Sequence, residues 1–520
     1  MLLHDFLIQA SRRTPDKVAL VSEGQRWTYA ELDRRSDALA HFLRGRGVAR
    51  GDRVALFLDN TVEAVVGFWG VLKADAVVTI FNPQTKGEKL AYLLQDCEPA
   101  ALLAQAWHEP VFGPVVGNAK TLKAIVVARA KDPVSLGGRE RFVSWEEAVA
   151  DGRPAGPPAR RAIDLDLAAI VYTSGSTGEP KGVMLSHLNM LTAARSITTY
   201  LGNTPDDVIL CALPFSFDYG LYQMIMAFAV GGRLVLEKSF VYSGEMLRLM
   251  VDEGVTGFPG VPTMFAMIED LKHLRSYDFS RVRYVTNTAA ALSPRLLFRL
   301  REIFPAARVF SMYGLTECKR CSYLPPEEID RRPTSVGVAI PNTELWVVDE
   351  HGIKLGPNAV GQLVVRGATV MQGYWRKPEA TARRLRPGPS PGVVVLYTGD
   401  LCRFDMDGFL YFVSRMDDII KSRGEKVAPR EVEHALLAIP GVREAAVVGV
   451  ADPLLGQAVV AFVVPAAGAT LTAGALRREC QKRLENFMVP SHINIVAALP
   501  RNENGKVDRR ALACAPSGAS

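Results

Sequence analysis

Five polar stretches, far apart in the chain, carry side chains suited to a polyphosphate and a carboxylate. From Tyr172 to Gly182 the run YTSGSTGEPKG follows the apolar LAAIV of Leu167 to Val171. Glycines free its backbone, Ser and Thr present N–H and O–H donors without bulk, and Lys181 adds positive charge. Donors beside a lysine suit phosphate oxygens. The common phosphate-loop spacing is absent, however: Pro180 stands five residues after Gly175, and Lys181 precedes Gly182 rather than Ser or Thr. An ordinary NTPase loop is therefore excluded, and another phosphate grip must be considered.

The sequence MYGLTE places Tyr313, Thr316 and Glu317 just after a strand pattern, where α/β folds gather ligand groups. An aromatic ring can stack on a base, a hydroxyl can bond a phosphate, and a carboxylate can hold Mg²⁺ among phosphate oxygens. Asp400 closes YTGD, and one carboxylate can accept from both hydroxyls of a ribose. A charged stretch, SRMDDIIKSRGEKV, starts at Ser414, and Lys506 sits in the turn-rich NENGKVD, where a mobile ammonium can meet negative charge. Each residue also has an ordinary structural use, as core ring, turn former, helix-start acid or surface lysine. Together they supply one group for each part of Mg–ATP.

The elements that must position these groups read as α/β. Short apolar strands (KVALV, RVALFL, AVVTIF, AIVVA) alternate with amphipathic helices such as YAELDRRSDALAHFLRGRG and EAVVGFWGVLKA, the pattern of a largely parallel, buried sheet. A second round follows with VILCALPF, RLVLEK, VRYVT and ARVFSMYG. From about 335 to 412 the texture changes to short strands whose DEHG and DMDG turns indicate a small antiparallel subdomain. A compact α+β module ends the chain: helices PREVEHALLAI and ALRRECQKRLENFM with strands REAAVVGV, AVVAFVVP and INIVAALP. The expected organisation is a large domain over 1–414, a hinge at 415–418 and a small domain over 419–520.

Composition narrows the function classes. With 520 residues, 48% hydrophobic and 22% charged, the chain reads as a globular protein of several domains. Its net charge of +6 comes from basic pairs mixed with acids, as in RRAIDLD and EEIDRR, which disfavours nucleic acid as a partner. Seven scattered cysteines suit a reducing compartment, and the pair Cys318 and Cys321 lacks the further ligands of a zinc site. The N-terminal MLLHDFLIQASRR has no secretion-signal pattern, and no apolar run approaches the ~20 residues of a membrane span. A cytoplasmic protein is the expectation.

On these motifs the chain resembles the adenylate-forming enzymes, which include acyl-CoA synthetases, amino-acid adenylation domains and beetle luciferases. YTSGSTGEPKG resembles that family's signature loop, and MYGLTE, YTGD, SRMDDIIKSRGEKVAPREVE and LPRNENGKVDRRAL resemble its later motifs in order and spacing. The resemblance implies a large domain of α/β subdomains with a small antiparallel one, followed by a small mobile C-terminal domain. It implies that Thr173, Ser174, Gly175, Ser176, Thr177, Gly178 and Lys181 cradle the β- and γ-phosphates. Tyr313 would stack on adenine, Thr316 touch the α-phosphate, Glu317 bind Mg²⁺, and Asp400 with Arg415 hold the ribose. Lys506 would bridge the substrate carboxylate and the α-phosphate. The small domain would swing about Asp417, withdrawing Lys506 and bringing Gly424 to the pantetheine channel. Catalysis would be mostly positioning and charge neutralisation. Both ATP-site groups, Lys506 and Glu317, are in place, which argues against a silent ATP-binding regulator. A luciferase-like oxygenase would need a special substrate that no residue announces.

In the substrate pocket the chain departs from the commoner acyl-CoA synthetase pattern. Where those enzymes often read LPLFHVFG, this chain reads LPFSFDYG, with Phe217 in the histidine's place and Asp218 after it. SFDYGLYQ resembles instead the SFDASVWE of amino-acid adenylation domains, whose aspartate pairs with the substrate ammonium. Asp218 is thus expected to meet either a substrate amine or Arg320, with Tyr222 and Asn287 lining the same pocket. NTAAALSP at 287–294 also differs from the Gly-Gly or Gly-Glu pair of many relatives. The leading expectation is an acid–thiol ligase using ATP, Mg²⁺ and coenzyme A. The alternative is an amino-acid adenylating enzyme loading a holo carrier protein. A fatty, aromatic or amino acid all remain open, and the motifs specify no oligomeric state.

Overall fold

Apolar runs fold as strands where the pattern places them: KVALV forms Val18–Ser22, RVALFL forms Arg53–Phe57, and AIVVA forms Ala124–Ala128. In this computed structural model, residues 1–514 are described except 131–140, 153, 174–179, 241–242, 270, 272, 289–291, 423–424, 453–454 and 503–504. Packing divides the chain into two units. One comprises Met1–Glu327, Ala339–Glu344 and Val365–Leu396; the other comprises Glu328–Val338, Leu345–Val364 and Tyr397–Ser520. The turn-rich stretch from 335 to 412 is shared between them.

The first unit is built on two sheets. In one, parallel strands run in the order Arg308–Tyr313, Tyr284–Asn287, Gly257–Gly260, Val208–Cys211, Arg233–Leu236 and Val18–Ser22. In the other, Gly373–Tyr374, Lys181–Ser186 and Leu167–Thr173 pair antiparallel. They continue into the parallel strands Val77–Ile80, Arg53–Phe57, Ala101–Gln105, Ala124–Ala128 and Phe142–Ser144. Strands buried on both faces need apolar residues, as AIVVA shows, while ALLAQ ends on the buried Gln105, whose Nε2 donates to Thr61 Oγ1 at 3.1 Å.

Helices close the sheets. Tyr29–Gly45 starts at a capping box between Thr28 and Glu31. Val62–Lys73 is buried all round, which is why its sequence is apolar all round. Trp69 on that helix stacks on Phe228 at 5.6 Å. Lys73, at its C-terminal end, is 1% exposed and holds Asp33 Oδ1 at 2.5 Å and Asp37 Oδ1 at 2.6 Å.

The second unit includes the C-terminal α+β module. Its strands run Glu425–Val427, Ile420–Ser422, Gly456–Pro465 and Val442–Asp452, with His492–Ile495 parallel beside Gly456–Pro465. The helices Pro429–Leu437 and Ala473–Gln481 pack on it. The second of these stops at Gln481, short of the run to Met488 that the pattern predicts. The chain passes from there through turns and Pro490 into the strand His492–Ile495. The DEHG and DMDG turns form as read: Asp349 Oδ1 accepts from the N–H groups of His351 and Ile353, and Asp405 Oδ1 from those of Asp407 and Phe409. The whole is an α/β protein with a large N-terminal and a small C-terminal domain. Among the described residues no helix is long and apolar enough to cross a membrane.

Candidate active site

The two ends of the YTSGSTGEPKG run are held side by side. Leu167–Thr173 and Lys181–Ser186 pair so that Thr173 lies opposite Lys181, and Thr173 Oγ1 donates to the Lys181 carbonyl at 3.5 Å. Ser174, Gly175, Ser176, Thr177 and Gly178 lie outside the described residues. Gly182 has no alternative: a Cβ there would stand 2.6 Å from Ile170 Cγ2 and 3.3 Å from the Tyr172 ring. Tyr172 Oη donates to Asp96 at 2.5 Å, and Tyr92 Oη to the Pro180 carbonyl at 3.2 Å, fixing both flanks.

Tyr374, which the sequence reading missed, joins this loop base to Glu317. Its short strand Gly373–Tyr374 pairs with Lys181–Ser186, and its ring lies 5.7 Å from Lys181 Nζ. Its hydroxyl donates to Glu317 Oε1 at 2.7 Å, while the Met371 N–H donates to the Glu317 carbonyl at 2.7 Å. Burial, reinforced by the Glu317 charge, pushes the Tyr374 phenol well up, so it stays protonated and donating. The GYW step at 373–375 is its one local signal, a polar aromatic outside any helix pattern.

Tyr313, Thr316 and Glu317 occupy a turn at the C-terminal end of Arg308–Tyr313, beside Asn287 at the end of Tyr284–Asn287. Strand ends in open α/β sheets are where ligands bind. The turn folds back hard on itself. Cys321 N–H donates to the Tyr313 carbonyl at 2.9 Å, and a Cβ on Gly314 would meet the Lys319 carbonyl oxygen at 2.4 Å. Lys319 takes φ +59°, uncommon outside glycine, and the turn delivers Lys319 and Arg320 into the interior. Cys318 and Cys321 are both buried, their sulfurs 3.1 Å apart.

Of the residues expected to line the substrate pocket, Asp218 and Tyr222 lie on the helix Asp218–Val230, whose N-cap is Phe217. Gly220 lets that helix begin against the backbone of Leu213 and Pro214, whose carbonyl oxygens would lie 2.5 Å from a Cβ. Asp218 pairs with Lys319 Nζ at 3.4 Å, and not with Arg320, one of the two partners expected from the sequence. Two adjacent cations compete for one carboxylate, and the backbone turn decides which reaches it. Lys319 Nζ also lies 4.2 Å from the Tyr222 ring centroid, and Arg320 Cζ lies 5.3 Å from that of Tyr219. Burial pulls the Lys319 pKa down to about 7 against the attraction of Asp218. Lys319 is the second functional candidate the sequence reading missed.

In the second unit, Asp400 and Arg415 are register partners in adjacent antiparallel strands, with Arg415 Nε 3.2 Å from Asp400 Oδ1. Asp400 is buried, and its N–H donates to Thr398 Oγ1 at 3.1 Å. Asp417 lies in the short 3-10 turn Met416–Asp418; Gly424 falls outside the described residues. Lys506 sits on a tight loop closed by the Arg501–Val507 bridge, with Asn502 N–H donating to its carbonyl at 2.8 Å and Gly505 at φ +73°. Its side chain is exposed.

Glu317 suits Mg²⁺. One oxygen is anchored by Tyr374, and among the described residues the other accepts no hydrogen bond. No group of three or more His, Cys, Asp or Glu among the described residues could hold a metal by itself, so an ion here would share Glu317 with phosphate oxygens, as Mg²⁺ commonly does.

Two family models match the chain: AMP-binding enzyme over residues 7–375, and AMP-binding enzyme C-terminal domain over residues 431–506. Tyrocidine synthase 3 from Brevibacillus parabrevis is 31% identical over 98% of this chain, which spans 8% of that protein's length. A long-chain-fatty-acid–CoA ligase from Salmonella typhimurium is 30% identical over 97% of this chain and 92% of its own. Among solved structures, ATP-bound MatB from Rhodopseudomonas palustris superposes with a TM-score of 0.87 at 29% identity, covering 99% of this chain and 98% of that one.

Proposed function

Because this chain belongs to the AMP-binding enzyme family, and is therefore an adenylate-forming enzyme that uses ATP, we propose that it is an acid–thiol ligase. A carboxylate oxygen bonds to the α-phosphorus of ATP as the bond to the β-phosphate breaks, releasing pyrophosphate. A coenzyme A thiolate then bonds to the acyl carbon, and AMP leaves.

The observation that carries this reading is Tyr374, which links Lys181 at the base of the Ser/Thr/Gly loop to Glu317. A phosphate-binding cation and a metal-binding carboxylate thereby share one support. In this reading Thr173, Lys181 and the Ser174–Gly178 loop orient the β- and γ-phosphates. Thr316 contacts the α-phosphate, Tyr313 stacks on the base, and Asp400 with Arg415 holds the ribose. Glu317 would hold Mg²⁺, which supplies neutralising charge among the phosphates when bound. Lys506 offsets the repulsion between the two reacting anions. Asp417 serves as the pivot of the small domain and Gly424 faces the pantetheine. Loading an amino acid onto a carrier protein would need Asp218 for an ammonium; Asp218 is engaged by Lys319 instead.

The test is intact-mass detection of acyl-CoA from ATP, Mg²⁺, coenzyme A and a panel of fatty, aromatic, dicarboxylic and amino acids. Lys506→Ala is expected to cut acid-dependent AMP formation on the order of 10³-fold without changing the melting temperature, because its side chain is exposed. Undiminished AMP formation would remove the proposed chemistry, and acyl transfer to a carrier protein alone would replace coenzyme A as the acceptor.

A further inference from the structure

The turn that carries Glu317 buries more positive than negative charge. Lys319 is 4% exposed, Arg320 is 2% and Asp218 is 8%. Asp218 makes its ion pair with Lys319. Among the described residues no carboxylate pairs with Arg320, whose Nε is buried without a hydrogen-bond partner. The remaining groups around Arg320 are the phenols of Tyr200, Tyr219 and Tyr222, each pushed up by burial and therefore neutral. Two cations and one carboxylate leave one positive charge over, in a place where water cannot screen it.

That is not how this fold treats a buried cation elsewhere. Lys73 is as deeply buried and spends its donors on Asp33 Oδ1, Asp37 Oδ1 and the Asp33 carbonyl, at 2.5, 2.6 and 3.0 Å. An uncompensated buried charge is costly and survives at sites where a ligand completes it.

We infer that the acid activated by this enzyme carries a second carboxylate, which Lys319 and Arg320 receive while the first meets ATP beside Glu317. The inference rests on the ligase reading above and names its substrate class. A second carboxylate brings the cluster to neutrality. A plain acyl chain would leave the surplus standing, and an α-ammonium at Asp218 would double it.

The experiment is ATP–pyrophosphate exchange by the full-length protein with matched acids: malonate against propionate, succinate against butyrate, glutarate against valerate. The dicarboxylic member of the preferred pair is expected to show kcat/KM roughly 100-fold above its partner, the scale of a buried charge pair. Arg320→Met should collapse that ratio by lowering the dicarboxylic value selectively. If the variant does not fold, the ratio for the unmodified protein decides alone. Equal or better exchange with monocarboxylic acids, or a best substrate that is an amino acid lacking a second carboxylate, overturns the inference while leaving the ligase reading intact. No exchange with any acid, long-chain and aromatic acids included, would remove both.

Discussion

Lys73 and the Lys319–Arg320 pair are buried cations in the same unit, yet they are built differently. Lys73 ends a helix whose neighbour presents Asp33 and Asp37 on successive turns, so its ammonium is fully hydrogen-bonded. Lys319 reaches the interior through a backbone turn at φ +59°, meets one carboxylate at 3.4 Å, and otherwise lies over an aromatic face. The first arrangement closes a structural seam. The second leaves electrostatic work undone, which is what a site awaiting a charged ligand requires. The contrast suggests a rule for this fold: where carboxylates match or outnumber buried cations the cluster serves stability, and where they fall short it serves recognition.

The sharpest way to break the comparison is to neutralise each lysine without shrinking it. Lys73→Met strands two carboxylates, one of them buried, and is expected to cost about 3–5 kcal/mol in urea unfolding. The acid preference of the surviving enzyme should not change. Lys319→Met takes from Asp218 its ion-pair partner but leaves the cluster with one carboxylate and one guanidinium, no net charge, so it should cost less than Lys73→Met, about 1–3 kcal/mol, while eroding the dicarboxylic preference. Equal destabilisation by the two variants would make Lys319 a structural residue.

The origin of that contrast also marks what could be read in advance. Strand and helix positions follow hydrophobic period, and the capping box at Thr28 and Glu31 sharpens one helix start. The strand Gly257–Gly260 was hidden because GFPG reads as a turn. Its glycines are needed instead for close approach: a Cβ on Gly257 would stand 2.2 Å from Tyr284 Oη. Among the candidate site residues, Lys181, Glu317, Asp400 and Lys506 could be picked out from the sequence because the chemistry proposed for each is local to its motif. Tyr374 and Lys319 could not, because their roles depend on tertiary neighbours. Tyr374 matters only once Gly373–Tyr374 pairs beside Lys181, and Lys319 displaces Arg320 from Asp218 only through a left-handed backbone step.

The smallest expected effect is also the most specific to Lys319. Its pKa falls from an ordinary 10.5 to about 7 in the folded protein, chiefly through burial, with Arg320 adding repulsion and Asp218 opposing both. Between those values the unfolded chain keeps the proton that the folded chain has lost. The unfolded state thus binds more protons, and stability must rise with pH across this window, by up to about 1.4 kcal/mol per pH unit. Below about 7 both states are protonated, so the slope vanishes and the desolvation penalty stands in full. Tyr219 and Tyr222, held protonated by burial, act in the opposite sense near the top of the window, but they do so equally in Lys319→Met. Subtracting the two unfolding profiles therefore isolates the lysine. A difference that grows in favour of the unmodified protein from neutral to alkaline pH is expected, and parallel profiles would mean that Lys319 carries its charge in the folded state as freely as a surface lysine.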